Sequence, residues 1–299
     1  MAKIAVELKR ALTRRQAHGT PGQTTPRILA GGTSWTVADV LCTSGPQDRP
    51  FEEQHSRYAI AIVLAGSFQY RSSVGRGLMT PGSVMLGNHG QCFECGHDHG
   101  DGDRCVSFWY SPEYFEQLVA DAGVRRQGID FSVPCLPPLR HLSSLVARAG
   151  IGATGLDVAW EEFGVRLAVC ATKLAAGASS HSTALPLNAE ARVTRTVRTI
   201  DRQPDGGWTL EALARAAGLS PYHFLRTFER VTGVTPHQYV RRARLREAAM
   251  CLVTESRSVL DIALDCGFGD VSNFNRAFRT EFGETPRMFR RCRGGSSER

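Results

Sequence analysis

The feature that most constrains this chain is that its last third repeats itself. "LARAAGLSPYHFLRTFERVTGVTPHQYVRR", residues 213–242, aligns with "IALDCGFGDVSNFNRAFRTEFGETPRMFRR", residues 262–291. Ala214 falls on Ala263, and Gly218 on Gly267. Phe224, Arg226 and Phe228 fall on Phe274, Arg276 and Phe278. Gly233 falls on Gly283, and Thr235-Pro236 on Thr285-Pro286. The offset grows from 49 to 50 residues, so the second copy carries one extra residue in its turn. A two-unit repeat of helix–turn–helix shape is the economical reading.

Local signals build the first unit. Thr209 is placed to cap a helix from Leu210, and Trp208 and Leu213 stand at the two positions of a hydrophobic staple. Gly218 permits the left-handed backbone that ends a helix. Ser220 caps the next helix, with Pro221 at its first position. There Phe224, Phe228 and Val231 share a face that should be buried, leaving Tyr222, Leu225, Arg226 and Glu229 outside at i, i+3, i+4, i+7. In the second unit Asp270 is the N-cap, and Phe274 and Phe278 face inward. Ser272, Asn275, Arg276 and Arg279 form the equivalent outer face. Asn can bind adenine bidentately and Arg can bind guanine. Between the units "TPHQYVRRARLREAAMCLV" reads as one long helix carrying Arg241, Arg242, Arg244 and Arg246.

Charge supports this reading. The 299-residue chain has a net charge of +7. Residues 189–299 hold 19 arginines and no lysine against 13 acids, a net +6, so nearly all the excess lies in the repeat and its flanks. That favours a polyanion as partner. Solvated basic helices are the plain alternative. Two copies in register with arginines on both outer faces weigh against it.

The first half is β-rich. "SRYAIAIVLAGSFQY" is an apolar, β-branched run ending near Gly66, and Pro81-Gly82 turns "GLMTPGSVMLG". Short strands with Gly and Pro turns predict a small sandwich or barrel. Helices follow: "SPEYFEQLVADAG", with Ser111 as N-cap and Gly123 as stop; "PLRHLSSLVARAG"; and "LDVAWEEFGVRLAVCATKLAAG". The last is apolar on more than one face, as a dimer-forming helix would be. "GASSHSTALPLN" reads as a linker. No stretch approaches the roughly 18 consecutive apolar residues of a membrane span, and the basic N-terminus lacks the pattern of a signal peptide. "IAVELKRAL" is either a short amphipathic helix or a frayed tail. The nine scattered cysteines then belong to a reducing, cytoplasmic setting. Most of them, Cys170, Cys251 and Cys266 included, read as small buried hydrophobes.

From about residue 190 to 292 the chain resembles the DNA-binding domain of AraC/XylS-family transcription regulators. The resemblance rests on "LARAAGLSPYHFLRTFERVTGVTPHQYVRRARLREA" and "VLDIALDCGFGDVSNFNRAFRTEFGETPRMFR". It implies that each unit lays its second helix in the major groove, with the two grooves about 34 Å apart. By position, base contacts are implied for Tyr222, Leu225 and Arg226, and for Ser272, Asn275 and Arg276; phosphate contacts are implied for Arg230 and Arg279. Leu225 departs from the polar residue often found there and suits a thymine methyl instead. Residues 27–110 resemble, more weakly, the family's cupin-like sensor domain through "HSRYAIAIVLAGSFQY" and "LMTPGSVMLGNHG". Such a domain implies an effector or a dimer without naming the ligand.

One stretch stands apart: "CFECGHDHGDGDRC", residues 92–105. Strand alternation puts Cys92 and Cys95 on opposite faces, which argues against a zinc knuckle. The same alternation puts Cys95, His97 and His99 together. A hairpin through Gly100–Gly102 would then add Asp103 and Cys105, if His99 pairs with Asp103. Those five residues are the candidate metal ligands. A polar hairpin held by Asp103 and Arg104 is the structural alternative, and a redox thiol switch is a third. A His-x-His after the Pro81-Gly82 strand is out of order for a metal cupin, where His55 alone occupies the earlier place.

The expected architecture is therefore α+β with two domains. It comprises a basic tail (1–26), a cupin-like β-barrel or sandwich (27–110), helices for support and dimerisation (111–176), a linker (177–188), an all-α double helix–turn–helix domain (189–292) and a short tail (293–299). The expected function is sequence-specific regulation of transcription, with no catalysis and no cofactor beyond the metal candidate. The expected partners are promoter DNA, RNA polymerase, a small-molecule or metal effector and a second copy of the chain, with no membrane. The rival is a metal-dependent cupin enzyme fused to a DNA-binding module.

Overall fold

The structure, a computed structural model, describes residues 3–98, 100–123, 129–178 and 187–293. The first half runs α1 (Lys3–His18), β1 (Thr24–Gly31), β2 (Trp35–Cys42), β3 (Phe51–Gln54), β4 (Tyr58–Gly66), β5 (Phe68–Ser72), β6 (Gly75–Met79), β7 (Val84–Gly87), β8 (Cys92–Gly96) and β9 (Asp103–Tyr110). It continues with α2 (Pro112–Asp121), β10 (Cys135–Leu136), a 3-10 turn (Arg140–Leu142), α3 (Ser143–Ala153) and α4 (Trp160–Ala176). The strands form two sheets. A six-stranded sheet has the order β1-β2-β9-β4-β7-β10, and a four-stranded sheet has the order β3-β8-β5-β6. Among the described residues no hydrogen-bonded ladder joins the two sheets, so the expected barrel is not closed.

The unbroken apolar run of β4 is explained by its having both faces covered. Ile60 and Ile62 join Phe108, Phe115, Phe163 and Leu167 in the core between the larger sheet and its helices. Ala61 and Val63 point the other way, and with Cys105 they meet Phe68, Tyr70, Met79 and Cys95 of the smaller sheet. Ser111 caps α2 by accepting the Tyr114 N–H.

Three sequence expectations are corrected. The segment 92–105 is not a hairpin: β8 pairs with β3 and β5 in the smaller sheet, whereas β9 pairs with β2 and β4 in the larger. The chain crosses between sheets at 97–102, because each strand finds a fuller ladder away from its sequence neighbour. Residues 3–18 are not a frayed tail but a helix whose Leu8 and Ala11 are buried. Arg15 secures its end, donating to the Thr43 carbonyl and pairing with Asp48 at 2.7 Å. Arg104 holds no turn. It is 1% exposed and donates to both carboxylate oxygens of buried Asp39 at 2.8 Å, to the Ala153 carbonyl at 3.1 Å and to Glu7 on α1 at 2.5 Å.

The second half is helical: α5 (Leu187–Arg202), α6 (Leu210–Ala217), α7 (Pro221–Thr232), α8 (Pro236–Thr254), α9 (Val259–Asp265), α10 (Val271–Phe282) and α11 (Pro286–Arg293). Most of the expected linker, residues 179–186, lies outside the described residues, and α5 already starts at Leu187. Helix α8 contributes to two cores. Tyr239, Val240 and Ala243 pack with Val193, Val197, Leu213, Phe224 and Phe228. Leu245, Ala249 and Leu252 pack with Ile262, Phe274, Phe278 and Phe289, and this second core also takes in Leu8 of α1 and Ile151 of α3.

Candidate nucleic-acid interface

The two units are built from the same local devices. Helix α6 is capped by Thr209, which accepts the Ala212 N–H, and ends at Gly218 with φ +64°. That left-handed backbone, which glycine adopts without a Cβ clash, turns the chain so that Ser220 can cap α7. Asp270 caps α10, accepting the Asn273 N–H at 2.6 Å. Phe224, Phe228, Phe274 and Phe278 are fully buried, and this fixes which faces of α7 and α10 point outward.

Each residue implied to touch bases lies on those outer faces. Tyr222 is 63% exposed. Arg226 donates to its hydroxyl at 3.1 Å and lies 5.9 Å from the ring centroid. Leu225 is half-buried, whereas Ser272, Asn275 and Arg276 are exposed. Arg276 reaches back to Asn273 Oδ1 at 3.4 Å. Arg230 and Arg279 are exposed as well.

A cleft of about 730 Å³ runs between the units, and Leu225 of α7 and Asn273 and Arg276 of α10 line it together with His237 and Arg241 of α8. The four α8 arginines differ sharply in role. Arg244 donates to three carbonyls, those of Pro204, Gly206 and Gly267, at 2.8, 2.7 and 2.8 Å. Arg242 pairs with buried Glu281 at 3.1 Å. Arg246 lies over the Tyr239 ring and 3.5 Å from Asp201. Arg241 alone of the four lines the cleft with a buried Nε that makes no hydrogen bond. Composition could not separate these four; helical phase and tertiary partners do.

The Cys/His stretch lies elsewhere, at one end of the sheets. Cys92 is exposed and Cys95 buried, on opposite sides of β8. His97 Nε2 lies 2.7 Å from Asp103 Oδ2, and the Cys105 thiol donates to Asp103 Oδ1 at 3.3 Å. His99 lies outside the described residues. Burial, reinforced by Asp103, pushes the Cys95 and Cys105 thiols up, so neither is a ready thiolate. Burial alone would lower the His97 pKa; hydrogen bonds to Asp103 and Cys42 outweigh it and raise it to about 9. The sequence reading missed Cys42. It ends β2 directly opposite Asp103 in the β2–β9 ladder, and no local signal announces that pairing. His55 belongs to none of this: it stacks on Phe93 at 4.0 Å and bonds the Tyr70 hydroxyl at 2.9 Å.

The two halves meet at a second cavity of about 540 Å³. Leu8, Leu12, Leu64, Val146 and Met250 give it apolar walls, and its charged lining mixes Lys9, Arg198, Arg202 and Arg246 with Asp101, Asp201 and Glu247. Arg198, on α5, donates to the Ser67 hydroxyl at 2.8 Å and carbonyl at 3.1 Å, and to the Asp101 carbonyl at 3.3 Å.

Among the described residues no helix is long and apolar enough to cross a membrane. A family profile described as "Helix-turn-helix domain" matches residues 213–292. The transcriptional activator RhaS of Salmonella arizonae is 30% identical over 266 residues, which is 83% of this chain and 90% of that one. The probable transcription factor PqrA of Proteus vulgaris is 40% identical over 88 residues, 29% of this chain and 72% of that one. A solved transcriptional regulator from Chromobacterium violaceum, described as having an AraC-type DNA-binding domain, is 26% identical and covers 38% of this chain and 100% of its own, with a TM-score of 0.34. The repeat, its capped helix pairs and a relative aligned along most of both chains agree: the chain belongs to the AraC/XylS family of DNA-binding transcriptional regulators.

Proposed function

We propose that this regulator reads two successive major grooves on one face of its operator, with α7 in one groove and α10 in the next. Tyr222, Leu225 and Arg226 then address the bases of the first groove, and Ser272, Asn275 and Arg276 those of the second. The observation that supports the reading is the shared cleft, which Leu225 of α7 and Arg276 of α10 line together with Arg241 and Arg244 of α8. Replacing Arg276 with Ala should weaken cognate binding by about 1–3 kcal/mol and relax preference at one base position. Equal affinity of variant and wild type in competitive gel shifts would sink this assignment.

Phosphate contacts fall to Arg230 and Arg279, and to Arg241 in the cleft. Arg241→Ala should weaken binding to all sequences alike and reduce the salt slope of log K by about 1. An unchanged slope would assign Arg241 a structural role instead.

The N-terminal half, cupin-like in its two facing sheets, is the input domain in this reading. A small-molecule effector with an apolar body and a polar group would suit the cavity between the halves, where leucines stand beside both the cations Lys9, Arg198, Arg202 and Arg246 and the carboxylates of Asp101, Asp201 and Glu247. Its occupant would bear directly on the Arg198 contact between the halves. Helix α4, with Val165 and Val169 half-buried on its outer side, is the proposed surface for a second copy. RNA polymerase is the protein partner and the cytoplasm the setting that a promoter-bound regulator requires.

A further inference from the structure

We propose that Cys42, His97 and Asp103 form a site for one divalent zinc-class metal ion at the end of the two sheets. The Cys42 sulfur, a His97 ring nitrogen and an Asp103 carboxylate oxygen all lie within 4.8 Å of one another, and all three residues are buried. They come from three places: the last residue of β2, the crossing between sheets and the first residue of β9. Strand register fixes two of them, since Cys42 stands opposite Asp103. The His97–Asp103 bond at 2.7 Å fixes the third. Thiolate, imidazole and carboxylate together are a borderline-soft donor set, suited to three of the four positions of a tetrahedral zinc, with a water in the fourth. A metal–ligand bond of about 2.0–2.3 Å to each donor needs only a small expansion or contraction of this cluster. Cys105, whose thiol bonds the other Asp103 oxygen at 3.3 Å, orients that carboxylate from behind.

The site has a route to the DNA-binding half. His97 and Asp103 bracket the crossing segment, and the Asp101 carbonyl of that segment accepts two bonds from Arg198 of α5. Gly100 lets the guanidinium lie against the backbone: a Cβ there would sit 1.9 Å from Arg198 Cζ and displace it. An ion that ties His97 to Asp103 and Cys42 therefore sets the surface on which α5 docks. This coupling rests on the DNA-reading function proposed above. The site itself does not.

The test uses the full chain, stripped with chelator, and zinc alone. Titration against a chromophoric zinc chelator should show one tight ion per chain. Cys42→Ser, His97→Gln and Asp103→Asn should each weaken that binding by no less than the roughly 10–100-fold that loss of an outer-shell partner costs, whereas Cys92→Ser, at an exposed thiol, should leave it unchanged. Cobalt(II) substituted into wild type should give tetrahedral visible bands and a sulfur-to-cobalt charge-transfer band, the latter lost in Cys42→Ser. The absence of stoichiometric zinc, or a wild-type cobalt spectrum without the charge-transfer band, would overturn the site even if a ligand variant failed to fold. So would wild-type zinc affinity in folded Cys42→Ser. Zinc uptake without a change in operator affinity would overturn the coupling through Arg198. The metal measurements involve no DNA, so a failure of the DNA-reading assignments would leave them standing.

Discussion

Arg104→Met should lower the stability of the protein by about 3 kcal/mol, read as a shift in the urea midpoint. The guanidinium is out of water and donates to Asp39 on β2, to the end of α3 and to Glu7 on α1. Its removal leaves the Asp39 carboxylate buried with one remaining cation, Arg27 at 2.7 Å. That survivor sets the expectation at the lower end of the 3–5 kcal/mol typical of a broken buried pair. Adding Asp39→Asn to Arg104→Met should recover part of the loss by removing the stranded charge. The pH dependence has a defined sign. Burial would raise the Asp39 pKa, but bonds to Arg104 and Arg27 outweigh it and hold it below the ordinary 3.8. Its contribution is therefore present above pH 3.8 and fades as pH falls through the lower folded value. The gap between wild type and Arg104→Met should narrow on acidification below that point. A loss under 1 kcal/mol at neutral pH, or a gap that widens in acid, would contradict this account. The same variant should expose α1 to trypsin at Arg10 and Arg14, since Glu7 loses its anchor.

Arg104 also shows where the sequence stops being legible. In "GDGDRC" it reads as a turn residue, because its neighbours are Gly and Asp. Its partners, Asp39, Ala153 and Glu7, come from three separate segments that only the folded chain assembles. The helix–turn–helix half was readable for the opposite reason. Caps at Thr209, Ser220 and Asp270, the left-handed Gly218 and the phenylalanines of α7 and α10 act within a few residues of themselves. The second copy repeated each signal. The strands of the first half were visible as apolar runs, but their partners were not. A Gly-Asp-Gly between two strands suits a hairpin, yet nothing local records that β8 and β9 belong to different sheets. Cys42 was overlooked on the same ground: a cysteine at the end of "WTVADVLC" carries no mark of the aspartate it will face.

Arg244 and Arg241 lie three residues apart on α8, yet substituting them should have different consequences. Arg244 donates to carbonyls in the loop before α6 and in the turn between α9 and α10, so it joins the entry to the first DNA-reading unit to the turn of the second. Arg244→Ala strands three carbonyls that had charge-assisted bonds, each worth about 1.5–3 kcal/mol when fully buried. Arg244 is only partly buried and water can reach this cluster, so the expected loss of stability is about 3 kcal/mol in total rather than the sum. The functional effect follows from geometry. Two helices that read adjacent grooves must keep their separation, and a looser joint adds an ordering cost only when both are bound. Arg244→Ala should therefore weaken binding to a full operator by about tenfold, or 1.4 kcal/mol, while a fragment carrying one half-site binds as before. Its salt slope should match wild type, because no phosphate contact is lost, whereas Arg241→Ala should lose about one unit of slope. Fluorescence anisotropy on full and half sites across a salt series separates these outcomes. If Arg244→Ala flattened the slope as Arg241→Ala does, Arg244 would be a phosphate contact and the joint between the units would lie elsewhere.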